Sequence, residues 1–143
     1  MSFIYQIEKG NGISYILSYG PFVGEDYLRL IQRLTSDPDW PPRRRLQLTD
    51  ARLASANTPL DEATMQKAVD LYNVDPEKLI GFRAATVAHE TFERAAMFQK
   101  FSSGLAPAVI VFNSMDTACL WLGIDLTEAE RVFKLLLDSV RSQ

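Results

Sequence analysis

The hydrophobic pattern of the chain alternates between short apolar runs and segments with helical spacing, most clearly over residues 82–123. Residues 82–88 and Ala108–Phe112 are short, apolar and partly β-branched, which predicts strands, whereas residues 92–101 and Met115–Leu122 have wide apolar faces, which predicts helices. A run that is apolar at every position, such as Ala108–Phe112, is typical of a strand covered on both faces in a parallel sheet. The pattern therefore predicts an α/β fold.

The beginning of the chain predicts a β-hairpin. Residues 3–8 and 13–19 flank the pair Asn11 and Gly12, and both of these residues tolerate the positive φ of a type I′ turn. We expect Gly20 and Pro21 to end the second strand. The first strand should lie antiparallel to its neighbour at or near an edge of the sheet.

Three further segments have apolar residues at helical spacing, in chain order 23–34, 65–72 and 129–140. The proline-rich loop after the first of them contains Trp40, which we expect to pack over the helix end. Thr58 and Pro59 have the residue types of an N-cap and a first helical position, and Thr127 with Glu130 has the spacing of a capping box. The last helix should bury its stripe on the sheet, although a terminal amphipathic helix could instead form a dimer.

The connections complete the predicted topology. Residues 46–49 predict a short strand, followed by a long polar connection over residues 50–57. The order of elements is then ββαβαβαα, and strands joined through helices should run parallel by right-handed crossovers. We predict a single α/β domain over residues 1–143, with a mixed, mainly parallel sheet of about five strands.

Composition excludes several classes of function. A chain of 143 residues, 47% hydrophobic and 23% charged, is typical of one globular domain. The net charge of -3 disfavours nucleic-acid binding, and the run 43–45 of arginines is interpreted as a solvated strand entrance. No apolar run reaches the roughly 18 residues of a membrane span, and the first residues lack the features of a secretory signal. The sequence therefore predicts a cytoplasmic protein.

The single cysteine and the single histidine limit the available chemistry. Cys119 lies beside Met115 and Leu122 on an apolar helix and is interpreted as a buried small hydrophobe, which leaves no intrachain disulfide. His89 alone cannot form a histidine metal cluster. We predict no metal and no cofactor.

Polar residues follow the predicted parallel strands at the edge of the sheet where ligands collect in α/β folds. They are Asp50, Arg52, His89, Glu90, Asn113 and Ser114. With Ser114 as nucleophile and His89 as base, this rim would suit a serine hydrolase. In the alternative reading Asn113 and Ser114 are helix caps and Asp50 pairs with Arg52, and Ser114 lacks the strained turn of a nucleophile elbow. We therefore predict no catalytic residue.

A family resemblance adds to this reading. Its segments are 46–52, a strand followed by Asp-Ala-Arg, then 83–88, 95–98, 109–112 and 116–123. They resemble the SpoIIAA-like superfamily, which includes the STAS domains of anti-sigma-factor antagonists and CRAL-TRIO-related bacterial proteins of unassigned role. The resemblance implies a superhelix of βα units and a non-catalytic regulatory or scaffold module that binds a protein partner.

The resemblance also implies where contacts would lie. In the antagonists a phosphorylatable serine begins the helix after the central strand, and Ser55 and Thr58 are the hydroxyls in that region here. The glycine-bearing context is missing, so Thr58 is interpreted as a cap. The loops after the central strands would contact the partner, with Arg52, Ser55 and Asn57 as contact residues. The lipid-transfer relatives imply an alternative, a small apolar ligand, which needs a sizeable apolar cavity.

Overall fold

The computed structural model describes residues 2–21, 23–55, 62–89 and 108–142. Its strands are β1 (Phe3–Glu8), β2 (Ile13–Pro21), β3 (Leu46–Ser55), β4 (Arg83–Ala88) and β5 (Ala108–Phe112). Its helices are α1 (Gly24–Ser36), α2 (Glu62–Tyr72), α3 (Met115–Leu122) and α4 (Leu126–Arg141), with a short 3-10 helix at Pro76–Leu79. The predicted α/β class is confirmed. The predicted helix at 92–101, the predicted cap Thr58, and the candidate residues Asn57 and Glu90 lie outside the described residues.

The strands form one sheet in the order β1-β2-β3-β4-β5. β1 is antiparallel to β2, and every other neighbouring pair is parallel. This confirms the mixed, mainly parallel sheet with the first strand at an edge. β5 is the last strand in this order. Its residues 109–112 are half-buried, so the expected full burial of this strand on both faces is wrong.

The hairpin turn has the predicted position but a different type. The pairing of Glu8 with Ile13 leaves a loop of residues 9–12, longer than a type I′ turn. Asn11 closes this loop with its side chain, since Oδ1 accepts a hydrogen bond from the Ile13 amide at 3.2 Å. Gly12 has φ +68, and a Cβ there would come within 3.0 Å of Arg43. The turn therefore requires glycine on both steric and conformational grounds.

β2 and β3 are longer than their sequence patterns predict. Gly20 and Pro21 belong to β2, and β3 continues past Thr49 to Ser55, so the polar connection expected at 50–57 is wrong for its first residues. The register shifts between the pairs Leu17/Asp50 and Tyr19/Leu53, which gives β3 an extra residue. Such a bulge interrupts the period-two alternation by which a strand is recognised.

The helices cover both faces of the sheet and create two apolar clusters. The face under α3 and α4, here called the α3/α4 face, buries mainly aliphatic side chains: Ile13, Leu17, Leu46, Leu48, Val87, Ala118, Leu122, Val132 and Leu136. The face under α1 and α2, the α1/α2 face, buries Phe3, Ile16, Leu30, Leu34, Trp40, Leu79 and Phe82. The stripe of α4 packs on its own sheet as predicted, and Trp40 is buried beside Leu34 as predicted.

The ends of α3 and α4 differ in part from prediction. Gly123 ends α3 with φ +71, as expected for a left-handed C-cap. The N-cap of α4 is Asp125 rather than Thr127, because its Oδ1 accepts from the amides of Thr127 and Glu128 at 2.8 and 3.3 Å. Ser114 occupies the N-cap position of α3, but its side chain makes no capping hydrogen bond.

Candidate functional site

The carboxyl half of β3 contains a buried carboxylate that holds a neighbouring arginine. Asp50 is 5% exposed and continues the row of Leu46 and Leu48 on the α3/α4 face. Its Oδ1 lies 2.9 Å from Arg52 Nε, and its Oδ2 lies 2.9 Å from a terminal nitrogen of the same guanidinium. The Arg52 amide also donates to Oδ1 at 3.1 Å. The two hydrogen bonds make the pair bidentate, which the planar guanidinium and carboxylate groups favour. Arg52 belongs to the bulge that follows Asp50.

Beyond this pair, β2 and β3 project past the rest of the sheet. β4 ends with Ala88 opposite Ala51, whereas β2 continues opposite Leu53 and Ser55. The residues 19–21 and 53–55 are called the projecting ribbon below. On it Leu53 is 49% exposed, and Ser55 is half-buried. Leu53 directly follows Arg52 in sequence, so an exposed apolar residue and a cationic residue meet at the start of the ribbon.

The electrostatics of Arg52 follow from its partner. Hydrogen bonding to Asp50 raises the pKa of Arg52 above its ordinary value, so the guanidinium is charged at every accessible pH. The side chain of Arg52 is about one-third exposed, at 34%. Arginine carries more N–H donors than Asp50 engages, and the remaining ones have no partner among the described residues. Within this described part of the chain, these donors are available to an acceptor from another molecule.

The other predicted rim residues do not join this pair. His89 follows β4 and is exposed, Asn113 is exposed, and Ser114 is half-buried at the start of α3. The Ser114 carbonyl accepts from Thr117 Oγ1 at 3.1 Å, which is a helix-start contact. Among the described residues no hydrogen bond links Ser114, His89 and Asp50. The structure therefore does not show a nucleophile and base in contact.

Two arginines have roles that the sequence did not reveal. Arg45, with φ 54, donates to the carbonyl of Ile80 at 3.1 Å, so it is a structural residue rather than part of a solvated entrance. Arg83 donates to the carbonyls of Trp121 and Leu122 at 2.9 and 3.3 Å, and its guanidinium carbon lies 5.5 Å from the Trp121 ring centre. Both bind carbonyl groups that are distant in sequence, and residue type alone gives no signal for such contacts.

A groove of about 520 Å³ runs along the outer edge of β1. β1 lines it with residues 3–7, and Tyr19 and Leu30 add apolar surface. Arg33, Asp37 and Asp39 place charges in its wall. The groove exists because α1 packs beside β1, so the sequence pattern of either element alone could not predict it.

The described part of the chain contains neither a metal-ligand cluster nor a membrane-spanning helix. Within residues 2–21, 23–55, 62–89 and 108–142, no cluster of three or more His, Cys, Asp or Glu side chains could hold a metal ion. The helices in those same ranges include none with the length and apolarity needed to cross a membrane.

Comparisons with known proteins identify the fold. No family model matches the chain, and no curated protein matches it. A crystal structure of an uncharacterized protein from the DUF3478 family, with a SpoIIAA-like fold and from Shewanella loihica PV-4, is similar with a TM-score of 0.53 and 16% sequence identity. The match covers 85% of this chain and 94% of that one. The chain therefore has the SpoIIAA-like fold that its sequence segments suggested, and at this identity the likeness extends to the fold alone.

Proposed function

We propose that this protein is a non-catalytic regulatory or scaffold module that binds a protein partner at the carboxyl end of β3. The observation that carries the proposal is that Arg52, held by the buried Asp50, is followed directly in sequence by the half-exposed Leu53. The SpoIIAA-like fold is consistent with this class of function and does not select it.

This arrangement has the chemistry of a small binding hot spot. Arginine is enriched at the centres of protein interfaces, where apolar side chains supply desolvated contact area. Asp50 holds the Arg52 guanidinium in one orientation, so little side-chain entropy is lost when a partner binds. The partner should therefore present a carboxylate or a carbonyl group next to an apolar side chain.

The remaining candidates extend this surface. Ser55 ends the projecting ribbon, whereas His89 and Ser114 follow the neighbouring parallel strands at the same edge of the sheet. Their hydroxyl and imidazole groups can exchange hydrogen bonds with a partner. Asp50 contributes by positioning Arg52, because its carboxylate is buried and engaged.

Binding of a small apolar ligand is less well supported. The β1 groove has a suitable size, about 520 Å³, but Asp37 and Asp39 lie in its wall. An apolar ligand there would remove water from carboxylates without replacing their hydrogen bonds, which is unfavourable.

Affinity capture from the native host's lysate, followed by affinity measurement with the purified partner, tests the proposal. Leu53→Ala removes the apolar contact and leaves the Asp50–Arg52 pair intact. Leu120→Ala is the matched control, because Leu120 is a leucine that is 83% exposed on α3. We expect Leu53→Ala to weaken binding by about tenfold, or about 1.4 kcal/mol, which exceeds the roughly 1 kcal/mol that marks a significant interface residue. Leu120→Ala should leave binding unchanged.

A charge variant gives an independent measurement. Arg52→Glu with Ser55→Glu places negative charge on the proposed surface, and Lys134→Glu with Ser139→Glu makes the same charge change on the exposed side of α4. A folded Arg52→Glu, Ser55→Glu variant that still captures the partner as well as wild type would show that the surface is wrong. Retention of a lipid or another small molecule, with no protein captured, would replace the proposal by ligand binding; native mass spectrometry detects that case.

A further inference from the structure

We infer that the outer edge of β1 pairs with β1 of a second copy of this chain, so that two sheets join into one across a two-fold axis near Gln6. This inference is independent of the partner surface on β3. It rests on the backbone geometry of the edge, on the groove beside it, and on how its side chains and charges match their own counterparts.

The direction of the free backbone groups follows from the hairpin. The Tyr19 amide donates to the Ser2 carbonyl at 2.9 Å, which makes Ser2 and Tyr19 a hydrogen-bonded pair. In an antiparallel ladder such pairs alternate, so Ile4 and Gln6 direct their amides and carbonyls to β2, whereas Tyr5 and Ile7 direct theirs outward. These outward groups of Tyr5 and Ile7 have no backbone partner among the described residues.

The edge lacks the features that normally prevent strand addition. Residues 3–7 read Phe-Ile-Tyr-Gln-Ile, with no proline and no charge, and the β1/β2 register has no bulge. Proteins that remain monomeric usually protect an edge with one of these features. The groove along β1 extends to side chains of both strand faces, including Ile4 and Tyr5, which leaves room for an added strand. Unlike an apolar ligand, an added strand brings backbone N–H donors toward the carboxylates in the groove wall.

One antiparallel register satisfies the free groups of both copies. If Gln6 lies opposite Gln6 of the second copy, Tyr5 and Ile7 form reciprocal hydrogen-bonded pairs across the axis. Each pair places an aromatic ring beside a β-branched side chain, a favourable cross-strand contact. Gln6 Nε2 donates to Glu8 at 2.7 Å, and its second N–H can donate to the Gln6 side chain of the second copy. Glu8 then lies opposite Ile4 of the second copy, so no like charges face each other.

The flanking charges also match in this register. Lys9, the first residue of the hairpin loop, has a side chain that is 82% exposed, and in this register it follows the pair of Glu8 with Ile4 and so comes near Phe3 of the second copy. The adjacent Ser2 hydroxyl donates to Asp26 at 3.2 Å, so Lys9 approaches Asp26 of the second copy. The existing ion pair of Lys9 with Asp39 spans 3.8 Å, and Asp26 already pairs with Arg29 at 3.2 Å. Ion pairs of such partly exposed side chains contribute little free energy, so they offer little competition. A positive charge after the end of β1, at Lys9, and a negative charge beside its start, at Asp26, favour a second copy of the chain as the strand that pairs with this edge.

Sedimentation equilibrium of the full chain over a range of concentrations tests the inference. We expect wild type to dimerise. Tyr5→Pro removes an outward amide from each copy without removing a bond to β2, and it should weaken the dimer by at least about tenfold. Tyr5→Phe keeps the amide and loses only the hydroxyl, which bonds to Asp37 at 2.8 Å, and it should dimerise like wild type.

A charge exchange covers the case in which the proline variant does not fold. Lys9→Glu should weaken the dimer, and adding Asp26→Lys to the same chain should restore it, because the two charges meet across the axis. Wild type that is monomeric at every concentration would overturn the inference. A dimer that persists in a folded Tyr5→Pro variant, or a Lys9→Glu effect that Asp26→Lys does not reverse, would overturn it equally.

Discussion

The two faces of the sheet bury different kinds of side chain. On the α3/α4 face the strands meet the helices mainly through aliphatic side chains, and Tyr15 packs edge-on against Phe133 with ring centres 5.5 Å apart. The buried charge on this face, Asp50, is satisfied by two hydrogen bonds to the Arg52 side chain. On the α1/α2 face Trp40 packs against Phe82 at 5.7 Å, but Ser14 and Gln47 are also buried there. Their hydrogen bond is long, at 3.3 Å, and Trp40 Nε1 has no partner among the described residues.

This difference indicates where single substitutions cost most. A closely packed aliphatic surface loses transfer free energy and gains a cavity when one side chain is shortened. A surface that already contains weakly satisfied polar groups has less to lose, because removing such a group also removes its desolvation penalty. The predictions below test this contrast, starting with the largest expected effect.

Leu122→Ala should be the most damaging change. Leu122 is 1% exposed on the α3/α4 face, and truncation of such a leucine lowers the free energy of unfolding by about 2–5 kcal/mol. Leu120→Ala, on the same helix at 83% exposure, should change it by less than about 0.5 kcal/mol. Urea denaturation measures both, and similar values for the two variants would contradict the packing of α3.

Arg52→Ala should have the next largest effect. It leaves the buried Asp50 carboxylate without its cation, and because Arg52 is partly exposed we expect a loss of about 1–3 kcal/mol rather than the full cost of a buried pair. Arg29→Ala is the control, since Arg29 pairs with Glu25 and Asp26 on the exposed side of α1 at 3.6 and 3.2 Å. Its loss should stay below about 0.5 kcal/mol. Equal losses would mean that the Asp50 carboxylate is hydrated in the folded protein.

The sequence pattern predicted the elements with regular periodicity, and it failed where tertiary contacts determine the end of an element. The hairpin and the stripe of α4 follow from local rules, and the structure confirms them. The predicted end of β3 at residue 49 was wrong, because β3 continues to Ser55. Asp50 has the residue type of a loop, and its place in the strand is understandable only from its contact with Arg52.

The candidate site was predictable only in part. The pairing of Asp50 with Arg52 was weighed from sequence and is confirmed, although it lies within a strand rather than across a loop. The exposure of Leu53 was not predictable, because it depends on how far β2 and β3 project beyond β4. The β1 groove likewise depends on the position of α1.

Cys119 gives a prediction for the α3/α4 face that depends on pH. Burial raises the pKa of its thiol from 9.0 to about 11. The thiol of the unfolded chain ionises first as pH rises, so this contribution to stability is present below pH 9 and is lost toward pH 11. The loss should reach about 1 kcal/mol at pH 10.

Two measurements check the burial of the Cys119 thiol and its effect on stability. Iodoacetamide at pH 8.5 should label the native thiol far more slowly than the urea-unfolded one. Urea denaturation at several pH values should show a shallower decline above pH 9 for Cys119→Ala than for wild type. Rapid native labelling would show that the thiol is accessible and that the α3/α4 face is open there.

Trp40→Phe should have the smallest effect and tests the α1/α2 face directly. Truncation of a buried tryptophan to alanine usually costs about 3–5 kcal/mol, but phenylalanine retains a ring against Phe82 and Tyr72, which lie 5.7 and 6.3 Å away. The change also removes an indole N–H that is buried without a partner among the described residues, a penalty of about 1–3 kcal/mol. The lost contact area and the relieved penalty nearly cancel, so urea denaturation should show a net change within about 1 kcal/mol. Because the residue fluoresces, circular dichroism should follow the unfolding of both proteins. A loss above about 2 kcal/mol would mean that packing dominates on this face as well, and the contrast between the two faces would then disappear.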